Sequence, residues 1–226
     1  MANPARFVSQ LKETELFADL SEDAITSLAA RGVERNYPKG QIIFSQGEHA
    51  AYLYVLTQGL LKVLVSAETG DEMLLTTLKP PATFGELALV DGGPRSASVE
   101  VAEPARVLVI SVGSWEVLVR EHPSLADGLV RTLASILRRL TDQAADFVFL
   151  DLPGRVAKLL TRAYESQDSK VLDLHLTQSD IAHAVGGSRQ SVNQILGHLA
   201  GRGFIEIDGR TIIVKNPDAL ARRAGL

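Results

Sequence analysis

The feature that most constrains the fold is the regular punctuation of one long stretch by glycine and proline. From Val33 to Ile110, short apolar runs rich in β-branched and aromatic residues alternate with turn residues. These runs are residues 41–44, 52–56, 60–65, 73–78, 97–101 and 106–110. Short strands at such spacing are typical of an antiparallel sandwich or roll. We therefore predict a β-roll in the N-terminal half of the 226-residue chain.

Residues 83–101, TFGELALVDGGPRSASVEV, set charged side chains into this apolar region. Glu86 follows Gly85 near the start, Arg95 and Ser96 follow Pro94, and both ends merge into strand-like sequence. A carboxylate and a guanidinium inside a roll need partners, because an isolated buried charge is costly. Either the two neutralise each other as an ion pair, or they are held ready for a ligand from solution.

Helical patterns flank the roll. Residues 7–30 predict short helices, with Ser21 as an N-cap, and helix returns at Ser114. After His122-Pro123 a long helix is predicted to about Leu150. Its apolar positions alternate in spacings of three and four, with one glutamine among them: Ala126, Leu129, Leu133, Ile136, Leu140, Gln143 and Phe147. Such a seam predicts a partner helix and hence a homodimer; the alternative is a helix packed on its own roll.

The segment Asp151-Leu152-Pro153-Gly154 breaks this helix and predicts a domain boundary. The expected division is a roll over residues 1–113, a dimerisation helix and hinge over 114–151, and a third part over 152–226. That third part should begin with a helix over 155–166 and a short strand over 171–174. Residues 1–151 carry 13 Lys and Arg against 20 Asp and Glu, whereas residues 152–226 carry 10 against 7. A basic C-terminal part fits nucleic-acid binding.

Two helices with a tight turn are predicted within the C-terminal part. Thr177 and Asp180 have the spacing of a capping box at the start of the first helix. Gly186-Gly187 permits a sharp turn, and Ser188 caps the second helix. Val192, Ile195, Leu196 and Leu199 form the buried stripe of that second helix.

The exposed front of the second helix carries side chains that suit base edges in a major groove. Arg189 can donate to guanine, and Gln190, Asn193 and Gln194 can pair with adenine. Two strands joined by Asp208-Gly209-Arg210 follow, because Asp-Gly is a strong hairpin signal. The pattern predicts a winged helix that reads DNA; the alternative is a helical hairpin used only for packing.

The whole chain resembles the Crp–Fnr transcription regulators, in the cyclic AMP receptor protein branch. The roll matches the glycine pattern of that family, and residues 84–97 resemble its phosphate-binding cassette. Residues 149–155 resemble the hinge, and residues 177–205 resemble the helix-turn-helix. The resemblance implies an α+β fold: an antiparallel β-roll with flanking helices, a long dimerisation helix and a C-terminal winged helix-turn-helix.

The resemblance also implies a role for the charged stretch as a site for cyclic AMP. Arg95 would bind the cyclic phosphate bidentately, Ser96 would add a hydroxyl, and Glu86 would accept from the ribose 2′-hydroxyl. Gly85 and Leu87 flank Glu86 in the same predicted site, where backbone N–H groups of a glycine turn add donors.

Two departures from the family pattern bear on specificity. The family reads adenine with adjacent hydroxyl residues on the dimer helix, and those positions hold Leu140 and Thr141 here. Thr141 remains the candidate base contact, and cyclic GMP, another effector or none stays open. In the DNA reader, Gln190 and Gln194 stand where the family commonly has glutamate and arginine, which predicts an altered half-site.

Alternative functions follow from composition. The chain has no cysteine, which excludes disulfides and cysteine-ligated iron–sulfur sensors, while a haem-binding sensor on the same scaffold stays open. A cupin-type metal enzyme needs several histidines in the roll, but the strand region has only His49.

We therefore expect a regulator without metal or enzymatic activity. It has no apolar run long enough for a membrane span and no signal-peptide pattern, and we expect it in the cytoplasm. Its partners should be a second copy of the chain, double-stranded DNA with a two-fold operator, and RNA polymerase.

Overall fold

The computed structural model describes residues 5–166, 171–172, 176–209 and 211–226. The chain forms two compact units, residues 1–138 and residues 139–226. The helices are α1 (Ala5–Lys12), α2 (Glu22–Arg31), α3 (Leu87–Asp91), α4 (Val112–Glu121), α5 (Ser124–Phe149), α6 (Leu152–Ser166), α7 (Gln178–Val185), α8 (Arg189–Gly201) and α9 (Pro217–Arg223). The strands are β1 (Val33–Tyr37), β2 (Ile42–Phe44), β3 (Tyr52–Ser66), β4 (Glu72–Leu78), β5 (Ala82–Phe84), β6 (Ser98–Ser111), β7 (Val171–Leu172), β8 (Ile205–Asp208) and β9 (Thr211–Val214).

The first unit contains the predicted antiparallel roll. Its six-stranded sheet has the order β1-β6-β3-β4, with β2 added to β6 and β5 added to β3. All of these pairings are antiparallel. The interior is apolar and aromatic, and it includes Phe44, Leu56, Leu61, Val101 and Val107.

Two long strands replace four predicted short ones. The runs at 52–56 and 60–65 form the single strand β3, and the runs at 97–101 and 106–110 form most of β6. Gly59 does not end a strand, because it lies in an irregular part of the β3–β6 register with φ +94°. A Cβ at this position would collide with the backbone carbonyl of Pro104. A glycine inside a strand therefore marks a bulge and a close backbone approach.

Helices cover one side of the roll. Ser21 caps α2 by accepting a hydrogen bond from the amide of Ala24, as predicted. The core between helices and sheet is made by residues such as Leu28, Leu53, Ile110 and Leu118.

The predicted long helix α5 is present, and its first turns pack against the core of the first unit. Leu125 is fully buried there, Leu129 packs against the same core, and a Cβ at Gly128 would collide with the carbonyl of Leu16. Leu129 belongs to the predicted seam but packs against the core of its own roll. By contrast Val130 and Val148, about five helical turns apart and absent from that seam, are strongly exposed.

The second unit has its own core, formed by α6–α9 and the sheet β7-β9-β8. Helix α6 begins at Leu152, three residues before the predicted start at Arg155. The difference has a local reason, since proline is tolerated in the first helical turn and the side chain of Asp151 accepts from the amide of Gly154.

The predicted hairpin is formed by β8 and β9, with Asp208 paired to Thr211. Gly209 takes up the left-handed conformation of the turn, at φ +58°. Arg210, and residues 173–174 of the predicted short strand, lie outside the described residues.

Over the part of the chain that the structure describes, every helix is too short or too polar to span a membrane. The boundary between the compact units falls inside α5, at residues 138 and 139. The functional division at residues 113 and 151 stays a prediction.

Candidate functional site

The guanidinium of Arg95 lies inside the roll. The residue is only 4% exposed. Its Nη1 donates to the carbonyl of Gly85 at 2.7 Å, and its Nη2 donates to the carbonyl of Tyr52 at 2.7 Å. The buried Nε has no hydrogen-bond partner among the described residues. Two neutral carbonyls hold the two terminal nitrogens, so these two bonds orient the guanidinium without neutralising it.

Aromatic rings surround this cation. The Cζ atom of Arg95 lies 4.2 Å from the ring centroid of Phe44 and 5.5 Å from that of Tyr54. Burial lowers the pKa of the Arg95 guanidinium from its ordinary value, whereas Tyr54 and, more weakly, Glu86 and Glu48 raise it. Burial also raises the pKa of the Tyr54 hydroxyl, and the charge of Arg95 opposes that shift. Cation–π contact thus compensates part of the desolvation of the guanidinium.

Backbone hydrogen bonds fix the position of Arg95. Its amide donates to the carbonyl of Glu48 at 2.8 Å, and its carbonyl accepts from the amide of Gly47 at 2.9 Å. Gly85 has φ +80°, and a Cβ there would lie 2.7 Å from Nη1 of Arg95. Glycine at this position is therefore required both by the turn and by the space that the guanidinium fills.

The other predicted ligand-binding residues lie on either side of Arg95. Glu86 is buried just before the short helix α3, and Leu87 is the first, exposed residue of that helix. Ser96 is exposed beside Arg95, before β6 begins. The fold thus brings together the two ends of the charged stretch, 85–87 and 95–96.

The buried cation and its donors fit the phosphate of a cyclic nucleotide. An anion is the natural partner of a buried guanidinium whose Nε lacks an acceptor in the described part of the chain. The residue types around it, a carboxylate and a hydroxyl, suit the sugar and phosphate of such a ligand. The sequence did not reveal the carbonyls of Gly85 and Tyr52 or the aromatic lining, because these come from positions far apart along the chain.

Thr141 lies on the C-terminal part of α5, within the second unit, at an exposed position. Its role as a base contact stays a prediction.

The helix-turn-helix of the second unit has the predicted local chemistry. Thr177 and Asp180 form a capping box, with the Thr177 amide donating to Asp180 Oδ2 at 2.7 Å. Gly186 ends α7 in the left-handed conformation at φ +64°, and Ser188 caps α8 by accepting from the amide of Ser191. These predictions are confirmed.

All six predicted DNA-binding residues are exposed. They are Thr177, Ser188, Arg189, Gln190, Asn193 and Gln194. The hydroxyls of Thr177 and Ser188 already take part in the helix caps. That the four side chains of α8 read bases stays a prediction. Arg189 lines a cleft of about 430 Å³ between α7, the start of α8 and the β8–β9 hairpin.

The turn of the helix-turn-helix rests on the segment that joins α5 to α6. A Cβ at Gly186 would lie 2.6 Å from Cε1 of Phe147, so only glycine admits this ring. Arg155 donates from Nε to the carbonyl of Val185 at 2.8 Å and from Nη1 to the carbonyl of Leu150 at 2.8 Å. Its guanidinium lies over the ring of Phe147, 5.0 Å from the centroid. Arg155 therefore connects the end of α5 directly to the turn before α8.

Ion pairs between α5 and α6 were missed by sequence reasoning. Lys158 pairs with Asp146, and both side chains are largely buried. Arg162 lies 3.5 Å from Asp142 and 3.9 Å from Asp146. The four residues give no signal in the sequence, because the pairing depends on the angle at which the two helices meet.

We predict that Gly186→Ala destabilises the second unit by about 1–3 kcal/mol, because the left-handed backbone and the ring of Phe147 both exclude a methyl group. Differential scanning calorimetry measures the effect as a lower melting temperature. Gly201→Ala, at the end of α8 with open space around it, is the matched control and should be neutral or stabilising. Equal melting temperatures for both variants would contradict the assignment.

Two family models match the chain. The cyclic nucleotide-binding domain matches residues 34–122, which contain Glu86 and Arg95. The Crp-like helix-turn-helix domain matches residues 154–223, which contain α7, α8 and the hairpin. The first match lies within the first compact unit, and the second match lies within the second unit.

Curated relatives cover nearly the whole chain. The CRP-like cAMP-activated global transcriptional regulator of Mycobacterium tuberculosis is 34% identical over 95% of this chain and 98% of its own length. The cAMP-activated global transcriptional regulator CRP of Pasteurella multocida is 32% identical over 79% of this chain and 88% of its own.

A solved structure of the same fold is the c-di-GMP responsive global regulator CLP of Xanthomonas campestris, with a TM-score of 0.77 and 20% identity over 86% of this chain and 99% of that one. The family consists of transcription regulators, which excludes the cupin-type enzyme. In the described residues no group of three or more histidines and carboxylates could hold a metal ion. The chain belongs to the Crp–Fnr family of transcription regulators, in its cyclic AMP receptor protein branch.

Proposed function

We propose that the protein is a homodimeric transcription regulator that binds cyclic AMP and then a two-fold operator. The observation that carries the ligand proposal is the buried guanidinium of Arg95, which two carbonyls orient and whose Nε has no hydrogen-bond partner among the described residues. A cation in that state is prepared for an anion at little further conformational cost. The name of the mycobacterial relative supports cyclic AMP as that anion.

Each part of the nucleotide has a proposed partner. Arg95 and Ser96 bind the cyclic phosphate, with the backbone at Gly85 and Leu87 beside them. Glu86 accepts a hydrogen bond from the ribose 2′-hydroxyl, and Thr141 contacts the base. Because Leu140 replaces one hydroxyl of the family pattern, cyclic GMP is the ligand against which cyclic AMP has to be compared.

We predict that titration calorimetry detects cyclic AMP binding to the full chain, and that Arg95→Ala weakens it roughly 100-fold or more, since charge-assisted bidentate contacts are lost. Arg95→Lys keeps the positive charge but lacks the paired N–H donors of a guanidinium. Its affinity for cyclic AMP should therefore lie between those of the wild type and Arg95→Ala. Arg120→Ala removes an exposed arginine from α4 and should leave affinity unchanged.

Three other results would each refute part of this proposal. If cyclic GMP binds more tightly than cyclic AMP, cyclic GMP is the effector. If neither nucleotide binds, the proposal of a cyclic nucleotide effector fails. Wild-type affinity in a folded Arg95→Lys or Arg95→Ala variant would place the ligand elsewhere. Circular dichroism separates loss of binding from loss of fold in these variants.

The DNA partner follows from the exposed front of α8. Two protomers would insert their α8 helices into successive major grooves, with half-sites about 34 Å apart. Arg189 pairs with a guanine through O6 and N7, and Gln190, Asn193 and Gln194 favour adenine. The operator is therefore two-fold but differs from the usual family consensus.

We predict that Arg189→Ala lowers affinity for the selected operator by about 10- to 100-fold while leaving weak, sequence-independent binding largely intact. Selection from random duplexes supplies the operator, and fluorescence anisotropy at several salt concentrations measures affinity. Arg222→Ala, an exposed arginine on α9, is a charge-matched control. Recovery of the unaltered family consensus, or equal losses in both variants, would contradict the proposed reading residues.

The homodimer is proposed from the exposed apolar side chains of α5. In the described part of the chain they are Val130, Leu137, Leu140, Phe147, Val148 and Phe149. Apolar side chains at helical spacing on a long helix are stabilised by a second helix that removes them from water. Two copies of one helix also satisfy the two-fold symmetry that the operator requires.

We predict that Val130→Glu, at a residue 65% exposed, shifts the protein from dimer to monomer in analytical ultracentrifugation. A carboxylate in an apolar helix–helix interface would be desolvated without a partner. Val33→Glu, at a residue 60% exposed on β1, is the matched control and should leave the oligomeric state unchanged. A wild-type monomer, or a Val130→Glu dimer as stable as the wild type, would exclude this interface.

Nucleotide binding controls DNA binding through a difference in ligand affinity between two arrangements of the dimer. Cyclic AMP favours DNA binding only if it contacts one arrangement of the dimer better than another. We infer that the DNA-bound dimer then acts on RNA polymerase in the cytoplasm.

A further inference from the structure

The C-terminal helix α9 is anchored firmly on α6. The side chain of Asn216 caps it by accepting from the amide of Ala219 at 3.0 Å. Leu220 and Ala224 are fully buried in the same core as Val156 and Leu160 of α6. The end of α9 therefore has a fixed position relative to the start of α6.

From that position Arg223 reaches the residue that precedes α6. Its Nη2 donates to both carboxylate oxygens of Asp151, at 2.8 and 2.7 Å. The Asp151 Oδ1 atom also accepts from the amide of Gly154 at 2.8 Å, which caps the first turn of α6. The hydrogen bond from Arg223 and, more weakly, that from the Gly154 amide lower the pKa of the Asp151 carboxyl from its ordinary value.

Gly154 lies close to both partners of this contact. A Cβ at Gly154 would lie 2.9 Å from Asp151 Oδ1 and 3.3 Å from Nη1 of Arg223. On the other side, Arg155 donates to the carbonyl of Leu150 at 2.8 Å. Leu150 and Asp151, the two residues between α5 and α6, are thus each held by an arginine of the second unit.

An exposed pair of this kind contributes little to global stability. Its consequence is orientation, because Asp151 determines where α6 begins, and Arg155 ties the same segment to the turn before α8. We propose that Arg223 is a positioning residue for the regulatory response: it clamps Asp151 and so keeps the segment between α5 and α6 in a fixed geometry relative to the recognition helix. The part that concerns nucleotide response rests on the proposed function.

The first test is hydrogen–deuterium exchange of the full-length protein. In Arg223→Ala the amides of Gly154 and Arg155 should exchange about fivefold faster, because the cap of α6 loosens locally while the core remains intact. Arg222→Ala removes the same charge from the neighbouring exposed position and should leave exchange unchanged. The melting temperature should be nearly the same in all three proteins. Unchanged exchange in Arg223→Ala, or equal acceleration in Arg222→Ala, would overturn the clamp.

The second test is operator affinity with and without cyclic AMP, measured by fluorescence anisotropy. The ratio of the two affinities should fall by about fivefold in Arg223→Ala, which corresponds to a modest allosteric coupling. In an Asp151→Asn background, which keeps the capping oxygen, Arg223→Ala should have almost no further effect. The clamp does not serve regulation if the effects of Asp151→Asn and Arg223→Ala on this affinity ratio add. The same conclusion follows if Arg223→Ala keeps the wild-type ratio. If the wild type itself ignores cyclic AMP, the effector proposal fails, whereas hydrogen exchange still decides whether the clamp exists.

Discussion

The first unit depends on the burial of one guanidinium. Removing the charge of Arg95 from water is unfavourable, and the fold compensates with carbonyls at both Nη atoms and with aromatic faces. These neutral partners orient the cation without cancelling its charge. Gly85 leaves the space that this side chain fills. Backbone hydrogen bonds with Gly47 and Glu48 fix the position of Arg95 along the chain. The same arrangement that makes the buried charge costly in the free protein is the basis on which we propose Arg95 as the partner of a phosphate.

The second unit depends on close packing around a turn. Gly186 bends the chain between α7 and α8 and leaves space for Phe147, whose ring also lies against the guanidinium of Arg155. Arg155 and Arg223 hold the two residues that precede α6. These contacts connect the end of α5, the start of α6 and the turn before α8 within one packed unit.

Much of the site could be predicted where the chemistry is local. The capping box at Thr177, the glycine turn at Gly186 and the Ser188 cap join residues within a few positions of one another, and all are present. The strand division was wrong at Gly59, because a glycine has the same signature in a turn as in a bulge that a neighbouring strand approaches. Leu129, a member of the predicted α5 seam, packs against the core of its own roll, since periodicity defines an apolar face but not what covers it.

The sequence by itself determined the order of the elements, the helix caps and turns, and the residue types available for a phosphate and for base edges, because these depend on interactions between near neighbours. Only the tertiary structure decided what surrounds them. The carbonyl of Tyr52 lies 43 positions from Arg95, and Asp151 lies 72 positions from Arg223. Such contacts depend on how strands and helices pack, and neither composition nor spacing records that packing. The burial of the Arg95 guanidinium and the contact between Arg223 and Asp151 are therefore properties of the fold.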